Sequence, residues 1–241
     1  MTKFDDPYCY PGTDVLKNKQ SLRDPQHALE IEREYSLLRR RELELDPVRG
    51  SFGLPHLQEI HRRLYQDVWD WAGQLRTVEI TKGDSHFLPV HFFLNAAEEL
   101  SKFLHDTELL TNPGITDEDF IAQSADLLEK VNFIHPFREG NGRTQRAYLD
   151  QIAELSGRTF AWRNISKIDN ERTSIRAFRK GSGEPFRVLL EQALEPPMDG
   201  LSILDDELYQ VSSPSAVTSP PSVPTASSAH PNKEDDDTST M

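Results

Sequence analysis

Residues 135–146 read HPFREGNGRTQR, and this stretch decides how the chain around it folds. Pro136 excludes the residue before it from the α region, so a helix that arrives here must end at about residue 134. Gly140 and Gly142 flank Asn141 and permit a tight turn of the backbone. A second helix is expected over 143–156, because apolar residues recur there at helical spacing. The stretch therefore predicts two helices joined by a glycine-rich loop.

The loop between these helices carries the groups of a phosphate site. A glycine turn at a helix N-terminus presents unpaired N–H groups and the positive end of the helix dipole, which favours anions. Arg143 and Arg146 lie on the first turns of the second helix, where both can face one anion. Glu139 fits beside them if Mg²⁺ joins it to the anion, because Mg²⁺ typically binds one or two carboxylates plus substrate phosphates. His135 is then the candidate general base for a hydroxyl group that attacks a nucleotide phosphate.

Each of these features also has an ordinary structural explanation. A His-Pro pair at a helix end is usually a turn, and a Gly-Asn-Gly sequence is usually a loop. Arg143 and Arg146 taken alone are typical of solvated side chains, or of partners for Asp150 and Glu154. Their occurrence together in one loop-to-helix element favours the phosphate site.

Helices are expected to make up most of the chain outside this stretch. Asp24-Pro25 opens one that runs to about residue 45, and others are predicted over about 55–71, 91–110, 117–134 and 168–194, with an interruption at 181–183. A short β-hairpin is predicted within residues 76–90, where strand-favouring residues flank the turn sequence KGDS of residues 82–85. These flanking residues are Thr77, Val78, Ile80 and Thr81 on one side and Phe87 and Leu88 on the other.

Three histidines and three arginines elsewhere are interpreted as structural. The histidines have no spacing typical of metal ligands; they are His56, His61 and His91. The arginines Arg39, Arg40 and Arg41 are surrounded by acids, which predicts a salt-bridged helix surface that faces solvent and is not a nucleic-acid patch. The surrounding acids are Glu32, Glu34, Glu42 and Glu44.

Composition limits the classes of function. The net charge is −13, and residues 199–241 hold eight acids against one base, so −7 lies there and −6 on the rest. This balance argues against direct binding to nucleic acid or anionic membranes. Cys9 is the only cysteine, which excludes an intrachain disulfide and suggests a reducing compartment. Without a visible signal peptide or an apolar run of about 18 residues, we expect a soluble cytoplasmic protein, with delivery into another cell by another route still open.

The chain is expected to have three parts. Residues 1–25 are rich in turn formers and predict an irregular N-terminal arm. Residues 26–198 form the main helical domain. Residues 199–241 are acidic, and 17 of the 30 residues from Ser212 onward are Ser, Thr or Pro. Such a segment buries too little apolar surface to offset its ordering entropy, so it is predicted to be disordered.

The stretch 135–146 resembles the active-site signature of Fic-domain proteins, His-x-Phe-x-(Asp/Glu)-Gly-Asn-Gly-Arg-x-x-Arg, at all eight constrained positions. Residues 6–19, DPYCYPGTDVLKNK, resemble the N-terminal arm of bacterial Fic toxins, and residues 64–83, LYQDVWDWAGQLRTVEITKG, resemble their helix and hairpin flap. The resemblance extends over about residues 7–195. It implies the mainly α Fic fold, a helical bundle with a short β-hairpin flap, so that residues 26–198 are the Fic catalytic domain.

The resemblance also implies an activity, the transfer of AMP from the co-substrate ATP to a Tyr, Ser or Thr hydroxyl of a target protein. Phe137 would lie in the core. The implied roles are deprotonation of the hydroxyl by His135, binding of Mg²⁺ by Glu139, a phosphate cradle of Gly140, Asn141 and Gly142, and stabilisation of the departing pyrophosphate by Arg143 and Arg146. In the flap, Thr81 and Lys82 resemble residues that border the nucleotide, although Thr81 is equally typical of an ordinary strand.

Partners follow from the same resemblance. The flap, residues 76–90, would align a target segment as an added strand. Many Fic proteins carry an inhibitory helix with the pattern Ser/Thr-x-x-x-Glu-Gly/Asn, whose glutamate pairs with the second arginine, here Arg146. This sequence lacks that pattern, since its only Glu-Gly pair is Glu139-Gly140. The resemblance therefore implies a toxin restrained by a separate small antitoxin, with the ATPase subunits of DNA gyrase and topoisomerase IV as targets.

Two alternatives stay open at this point. Some Fic relatives transfer UMP, phosphocholine or a terminal phosphate, and the phosphate-transferring ones depart from the glycine-rich stretch that is intact here. The other alternative is a non-catalytic binding module or secreted effector, in which the acidic tail recruits partners or directs secretion.

Overall fold

Seven α-helices, two short 3-10 helices (Val90–Phe92 and Trp162–Asn164) and four two-residue strands make up the regular structure of the described chain, residues 6–83 and 85–195 of a computed structural model. The elements are α1 Pro25–Leu45, α2 Leu54–Tyr65, β1 Thr81–Lys82, β2 Ser85–His86, α3 Phe93–Asp106, α4 Asp117–Ile134, α5 Asn141–Glu154, β3 Thr159–Phe160, α6 Lys167–Lys180, α7 Glu184–Ala193 and β4 Leu194–Glu195. The expectation of a mainly α fold with a short hairpin is confirmed.

Polar side chains cap three of the helices at their N-termini. Asp24 accepts a hydrogen bond from the His27 N–H at 2.8 Å, immediately before α1. Thr116 does the same for α4 and Ser166 for α6, at 3.1 and 3.0 Å. Each cap satisfies an N–H group that has no partner within its own helix, which typically contributes about 1 kcal/mol.

The core lies around α4, which packs against α3, α5, α6 and α7. Phe120 and Leu127 on this helix have no exposed surface, and Val131 is almost fully buried. Burial of each such side chain contributes about 1.5–3 kcal/mol. On the other side, α2 lies between α1 and α5. The loop between α4 and α5 is therefore held by a packed helix at each end.

The helix boundaries follow the predictions except at α2, α3 and α5. The prediction that α2 continues to residue 71 was wrong, because the helix ends at Tyr65. Trp69 and Trp71 stack on each other at 4.3 Å, and residues two apart cannot face each other on a helix. The third helix, α3, covers a shorter range than 91–110, and α5 begins at Asn141, two residues earlier than predicted. The predicted interruption at 181–183 is present between α6 and α7.

The hairpin is shorter than the sequence suggested. Only two residue pairs form its ladder, Thr81 with His86 and Lys82 with Ser85. Thr77, Val78 and Ile80 were predicted as strand and lie outside it. The Val78 carbonyl accepts a hydrogen bond from the Arg76 side chain at 2.7 Å. A second short ladder, β3 with β4, was not predicted.

The structure describes most of the N-terminal arm but not the C-terminal tail of residues 199–241. Residues 6–24 contain no helix and fold back on themselves through an isolated bridge between Cys9 and Leu16, as an irregular arm would. The predicted disorder of residues 199–241 lies outside the described residues. Among the described helices, none combines the length and the apolar character required to cross a bilayer.

Candidate active site

His135 ends α4 in a left-handed conformation, with φ of +44°. The following proline disfavours the α region at this residue, as the sequence predicted. The imidazole Nδ1 lies 3.2 Å from the Asn132 carbonyl oxygen. Because a carbonyl oxygen can only accept, Nδ1 carries the proton and Nε2 of the neutral ring has a free lone pair. This is the tautomer that a general base requires.

The flap covers the His135 ring. Phe87 stacks on the imidazole with 3.8 Å between ring centroids and an interplanar angle of 18°. Burial lowers the pKa of His135 to about 3, and the positive charges of Arg76 and Lys82 act in the same direction. The ring is therefore neutral at physiological pH, and its Nε2 carries no proton.

The side chain of Asn141 holds the turn closed. Its Oδ1 accepts from the Phe137 N–H at 3.0 Å, and its Nδ2 donates to the Phe137 carbonyl at 2.8 Å. Phe137 is 1% exposed, which confirms that it anchors the loop in the core. Gly140 has φ of +83°, and a Cβ there would meet the Tyr65 ring at 2.5 Å. The positive φ and the close approach of the Tyr65 ring both require glycine at this position.

His61 supports the same loop from α2. Its Nδ1 accepts from the Gly73 N–H at 2.8 Å, so Nε2 must carry the proton and donates to the Glu139 carbonyl at 3.0 Å. Phe137 stacks on it at 3.9 Å. Burial lowers the pKa of His61 to about 3, which keeps the ring in this neutral form. The sequence-based interpretation of His61 as structural missed its contact with the loop.

Arg143 is held by two residues of α1. Its Nη2 lies 2.5 Å from Glu32 Oε1, and its Nη1 donates to Ser36 Oγ at 2.9 Å. Glu32 is 5% exposed, so its predicted place on a solvent-facing surface was wrong. Burial raises the pKa of Glu32, and the Arg143 charge partly offsets this. The cost of burying a carboxylate is met here by a paired guanidinium.

Arg146 differs from Arg143 in its surroundings. Within the described part of the chain its guanidinium makes no hydrogen bond or ion pair, and Asp150 is bonded instead to Arg40 and Trp162. Burial lowers the pKa of Arg146, and the positive charge of Arg40 adds to the effect. A half-buried cation in this environment favours an anionic ligand.

Glu139 presents a carboxylate at the same place. The residue is exposed, and its Oε1 accepts from the Gly140 N–H at 3.1 Å. Among the described residues, no group of three or more His, Cys, Asp or Glu side chains is arranged to hold a metal ion. A single carboxylate fits Mg²⁺ only when substrate phosphates supply further ligands, which is the usual Mg²⁺ arrangement at nucleotide sites.

A cavity of about 1240 Å³ brings these groups together. His135, Glu139, Gly140, Asn141, Gly142, Arg143 and Arg146 all line it, as do Thr81 and Lys82 of the flap. The Lys82 ammonium lies 2.7 Å from Glu171 of α6, so this lysine has an acidic partner at the rim. The N-terminal arm and α6 supply further walls that the sequence did not indicate, among them Asp6 and Ser174.

Comparison with known proteins agrees with this geometry. The family model described as Fic/DOC family matches residues 51–153. The "Probable protein adenylyltransferase Fic" of Escherichia coli (strain K12) is 39% identical over 162 residues, which cover 67% of this chain and 79% of that protein. The chain belongs to the Fic/DOC family.

Two further similar proteins support the assignment. A protein of the same name from Salmonella typhimurium is 34% identical over 189 residues, covering 78% of this chain and 92% of that protein. The crystal structure of the BepC protein from Bartonella tribocorum, with bound AMPPNP, has a TM-score of 0.71 at 25% identity and covers 78% of this Fic/DOC chain and 96% of its own. The predicted Fic fold is thereby confirmed.

The sequence analysis did not identify three residues that position this Fic/DOC site. His61 and Glu32 contact the loop and Arg143, and Arg76 contacts the carbonyl of His135 at 3.0 Å. All three come from elements far from the loop in sequence. The only indication in the sequence was that these residues are polar, because a polar residue within an apolar helical face or next to a strand is an informative exception to the usual burial pattern.

Proposed function

We propose that this Fic/DOC protein is a protein adenylyltransferase, which transfers AMP from ATP to a hydroxyl group of a target protein. The observation that carries the proposal is one cavity that combines the free Nε2 of His135 with the N-terminus of α5 and two arginines. The names of the relatives in Escherichia coli and Salmonella typhimurium support it, as does AMPPNP in the BepC structure. Cytoplasmic ATP would supply the reaction.

In this reaction the target hydroxyl oxygen attacks the α-phosphorus of ATP. The bond between that phosphorus and the oxygen that bridges to the β-phosphate breaks, and pyrophosphate leaves. His135 accepts the hydroxyl proton at Nε2, which its neutral tautomer leaves free. Its low pKa makes the isolated ring a weak base, so the developing negative charge nearby must raise that pKa as the proton moves.

The loop and α5 stabilise the phosphates. The first N–H groups of α5 have no partner in the helix and are available to phosphate oxygens. Arg146 would contact the outer phosphates, and Arg143 would do so while its other edge stays on Glu32 and Ser36. Mg²⁺ held through Glu139 would neutralise phosphate charge and orient the leaving group.

The flap is proposed as the docking site of the target. Its short ladder at residues 81–86 leaves strand edges that a peptide can extend through main-chain hydrogen bonds. Thr81 and Lys82 line the cavity beside the loop and are kept as proposed nucleotide-bordering residues.

Incubation with α-labelled ATP and Mg²⁺ in a bacterial lysate tests the activity. The wild type is expected to label protein bands, and His135→Ala to label none. His105→Ala is the matched control, because that side chain is 88% exposed, and it should label as the wild type does. Label from γ-labelled ATP would show phosphate transfer instead, and label only from UTP or CDP-choline would replace the donor. Silence with every donor would leave the binding-module alternative.

We further propose that the protein is a toxin restrained in trans. Residues 1–241 contain no inhibitory-helix pattern, and within the described residues the Arg146 guanidinium has no hydrogen-bond or ion-pair partner that would compete with a glutamate from another protein. The proposed targets are the ATPase subunits of DNA gyrase and topoisomerase IV. Expression in a bacterium is expected to stop growth, while His135→Ala is harmless. Purified gyrase subunits that stay unlabelled beside labelled lysate bands would exclude this target.

A further inference from the structure

Arg76 is an arginine whose side chain has no exposed surface. It is the first residue of the flap, residues 76–90. Burial lowers its pKa, and burying a cation is costly unless hydrogen bonds compensate. Glu79 gives only a long contact, 3.4 Å from Nη1, and is itself 57% exposed. The compensation must therefore come chiefly from elsewhere.

The guanidinium donates hydrogen bonds to the main-chain carbonyls of three residues. Nε donates to His135 at 3.0 Å, Nη1 to Val78 at 2.7 Å, and Nη2 to Leu88 at 2.5 Å. Val78 precedes β1 and Leu88 follows β2, so they belong to the two legs of the hairpin. One side chain thus joins both legs of the flap to the residue that carries the candidate base.

Two main-chain hydrogen bonds run alongside these contacts. The Arg76 N–H donates to the Pro136 carbonyl at 2.8 Å, and the Leu88 N–H donates to the Phe133 carbonyl at 3.1 Å. These bonds do not depend on the Arg76 side chain. The flap would therefore stay attached without the guanidinium but would be free to shift relative to His135.

Arginine is the side chain that suits this position. Its planar guanidinium holds five N–H donors in fixed directions, whereas lysine carries its three donors on one nitrogen. The three carbonyls approach different nitrogens, so their relative positions are tied to a rigid group. The guanidinium carbon lies 5.0 Å from the centroid of the Phe93 ring, which covers one face of the group.

We propose that Arg76 is a positioning residue that sets the distance between the flap and His135, and so places the target hydroxyl in line with the α-phosphorus. This inference rests on the proposed adenylyl transfer. The groups proposed to bind the phosphates lie on the loop and α5, and among the described residues the only hydrogen bond from the Arg76 side chain to that region is the one to the His135 carbonyl. Loss of the guanidinium should therefore impair transfer and leave nucleotide binding intact.

Arg76→Gln tests the proposal through two measurements on the full chain. The first is the rate of His135-dependent protein labelling in lysate at saturating ATP. It should fall about 10- to 100-fold, because a misplacement of about 1 Å between reacting groups costs that much. The second is the Kd for α,β-methylene ATP, in which a methylene group replaces the oxygen between the α- and β-phosphates, so that the nucleotide binds but transfers no AMP. It should stay within about twofold, since this substitution removes no phosphate contact.

Arg158→Gln is the matched control. Arg158 is also a buried arginine, 8% exposed, and it donates to the carbonyls of Ile115 and Ser156 and to Asp117. Its removal should lower Tm comparably, while labelling below the Tm stays near that of the wild type. Equal loss of labelling in both variants would mean that Arg76 is merely structural and would overturn the proposal.

Other outcomes are equally decisive. A Kd that weakens by the same factor as the rate would also overturn the proposal, as would wild-type labelling by Arg76→Gln. If Arg76→Gln does not fold, Arg76→Lys takes its place, and its reduced labelling at unchanged Kd supports the proposal while full labelling opposes it. If the wild type itself labels nothing, the adenylyl-transfer function has failed, and the Arg76 proposal falls with it for a separate, visible reason.

Discussion

The loop of residues 135–146 and the flap of residues 76–90 face the same cavity, but they are built differently. Side chains hold the loop in place: Asn141 within it, and His61 and Tyr65 of α2 beside it. The flap is held by two ladder pairs, by the Arg76 side chain, by two main-chain hydrogen bonds and the Phe87 ring at the end of α4, and by the surface ion pair of Lys82 with Glu171. A phosphate site works best when its groups are preorganised, whereas a docking strand must accept different segments. The difference in construction matches this difference in task.

Two left-handed glycines allow this contrast to be tested with one kind of substitution. A Cβ at Gly140 would lie 2.5–2.9 Å from three atoms of the Tyr65 side chain, so Gly140→Ala must displace the loop. We expect a loss of about 2–4 kcal/mol in the free energy of unfolding and about 100-fold or more in transfer. Gly83 has φ of +58°, and a Cβ added there would have no atom within 4 Å, so Gly83→Ala should cost only about 1 kcal/mol.

Urea denaturation and the labelling assay measure both glycine variants. Gly83→Ala should keep transfer within about threefold of the wild type, because its strain is local and its side chain meets nothing. If Gly83→Ala proves as harmful to transfer as Gly140→Ala, the flap is as rigidly required as the loop. The contrast between the two regions would then be wrong.

A second prediction concerns the stability of the loop towards acid. The folded-state pKa of His61 is about 3, below the value of about 6.5 expected in the unfolded chain. As the pH falls below about 6.5, the unfolded state binds a proton at His61 and the folded state does not, so the folded state loses stability. From pH 7 to pH 5 this residue accounts for about 2 kcal/mol of lost stability.

His61→Gln removes this share of the acid sensitivity while leaving the amide able to reach towards the Glu139 carbonyl. We expect a smaller fall in the free energy of unfolding between pH 7 and pH 5 than in the wild type. His105→Gln, at an exposed site, should leave the fall unchanged. An acid sensitivity of His61→Gln equal to that of the wild type would show that this buried imidazole does not resist protonation.

The smallest effect is expected at the rim of the flap. Lys82 and Glu171 are 63% and 43% exposed, and exposed ion pairs contribute about 0–1 kcal/mol. Lys82→Ala should change the free energy of unfolding by less than about 0.5 kcal/mol and transfer by less than about threefold. Glu171→Gln serves as the control for loss of the pair. A tenfold weaker affinity for nucleotide in Lys82→Ala alone would show that Lys82 reaches the phosphates, as the family resemblance suggested.

The contrast between loop and flap also separates what the sequence could predict from what it could not. The loop was predictable because its groups lie within twelve residues, and the helices because their apolar periodicity is local. The early end of α2 was missed because contacts between tryptophans outweigh helical pattern. Arg76, His61 and Glu32 were missed because their partners lie far along the chain, and spacing in sequence carries no information about such contacts.

The pairing of Arg143 with Glu32 and Ser36 has a consequence for how the protein folds. Ser36 and Arg143 are 107 residues apart. Arg138 Nε donates to Asp6 Oδ2 at 2.7 Å across a separation of 132 residues. Such contacts close large loops, whose entropic cost must be met before they form. The loop that carries the candidate catalytic residues is therefore completed late, because its contacts with α1 and α2 cannot form until α5 has been synthesised and has packed against them. A nascent or partly folded chain has the residues of the site but no active site.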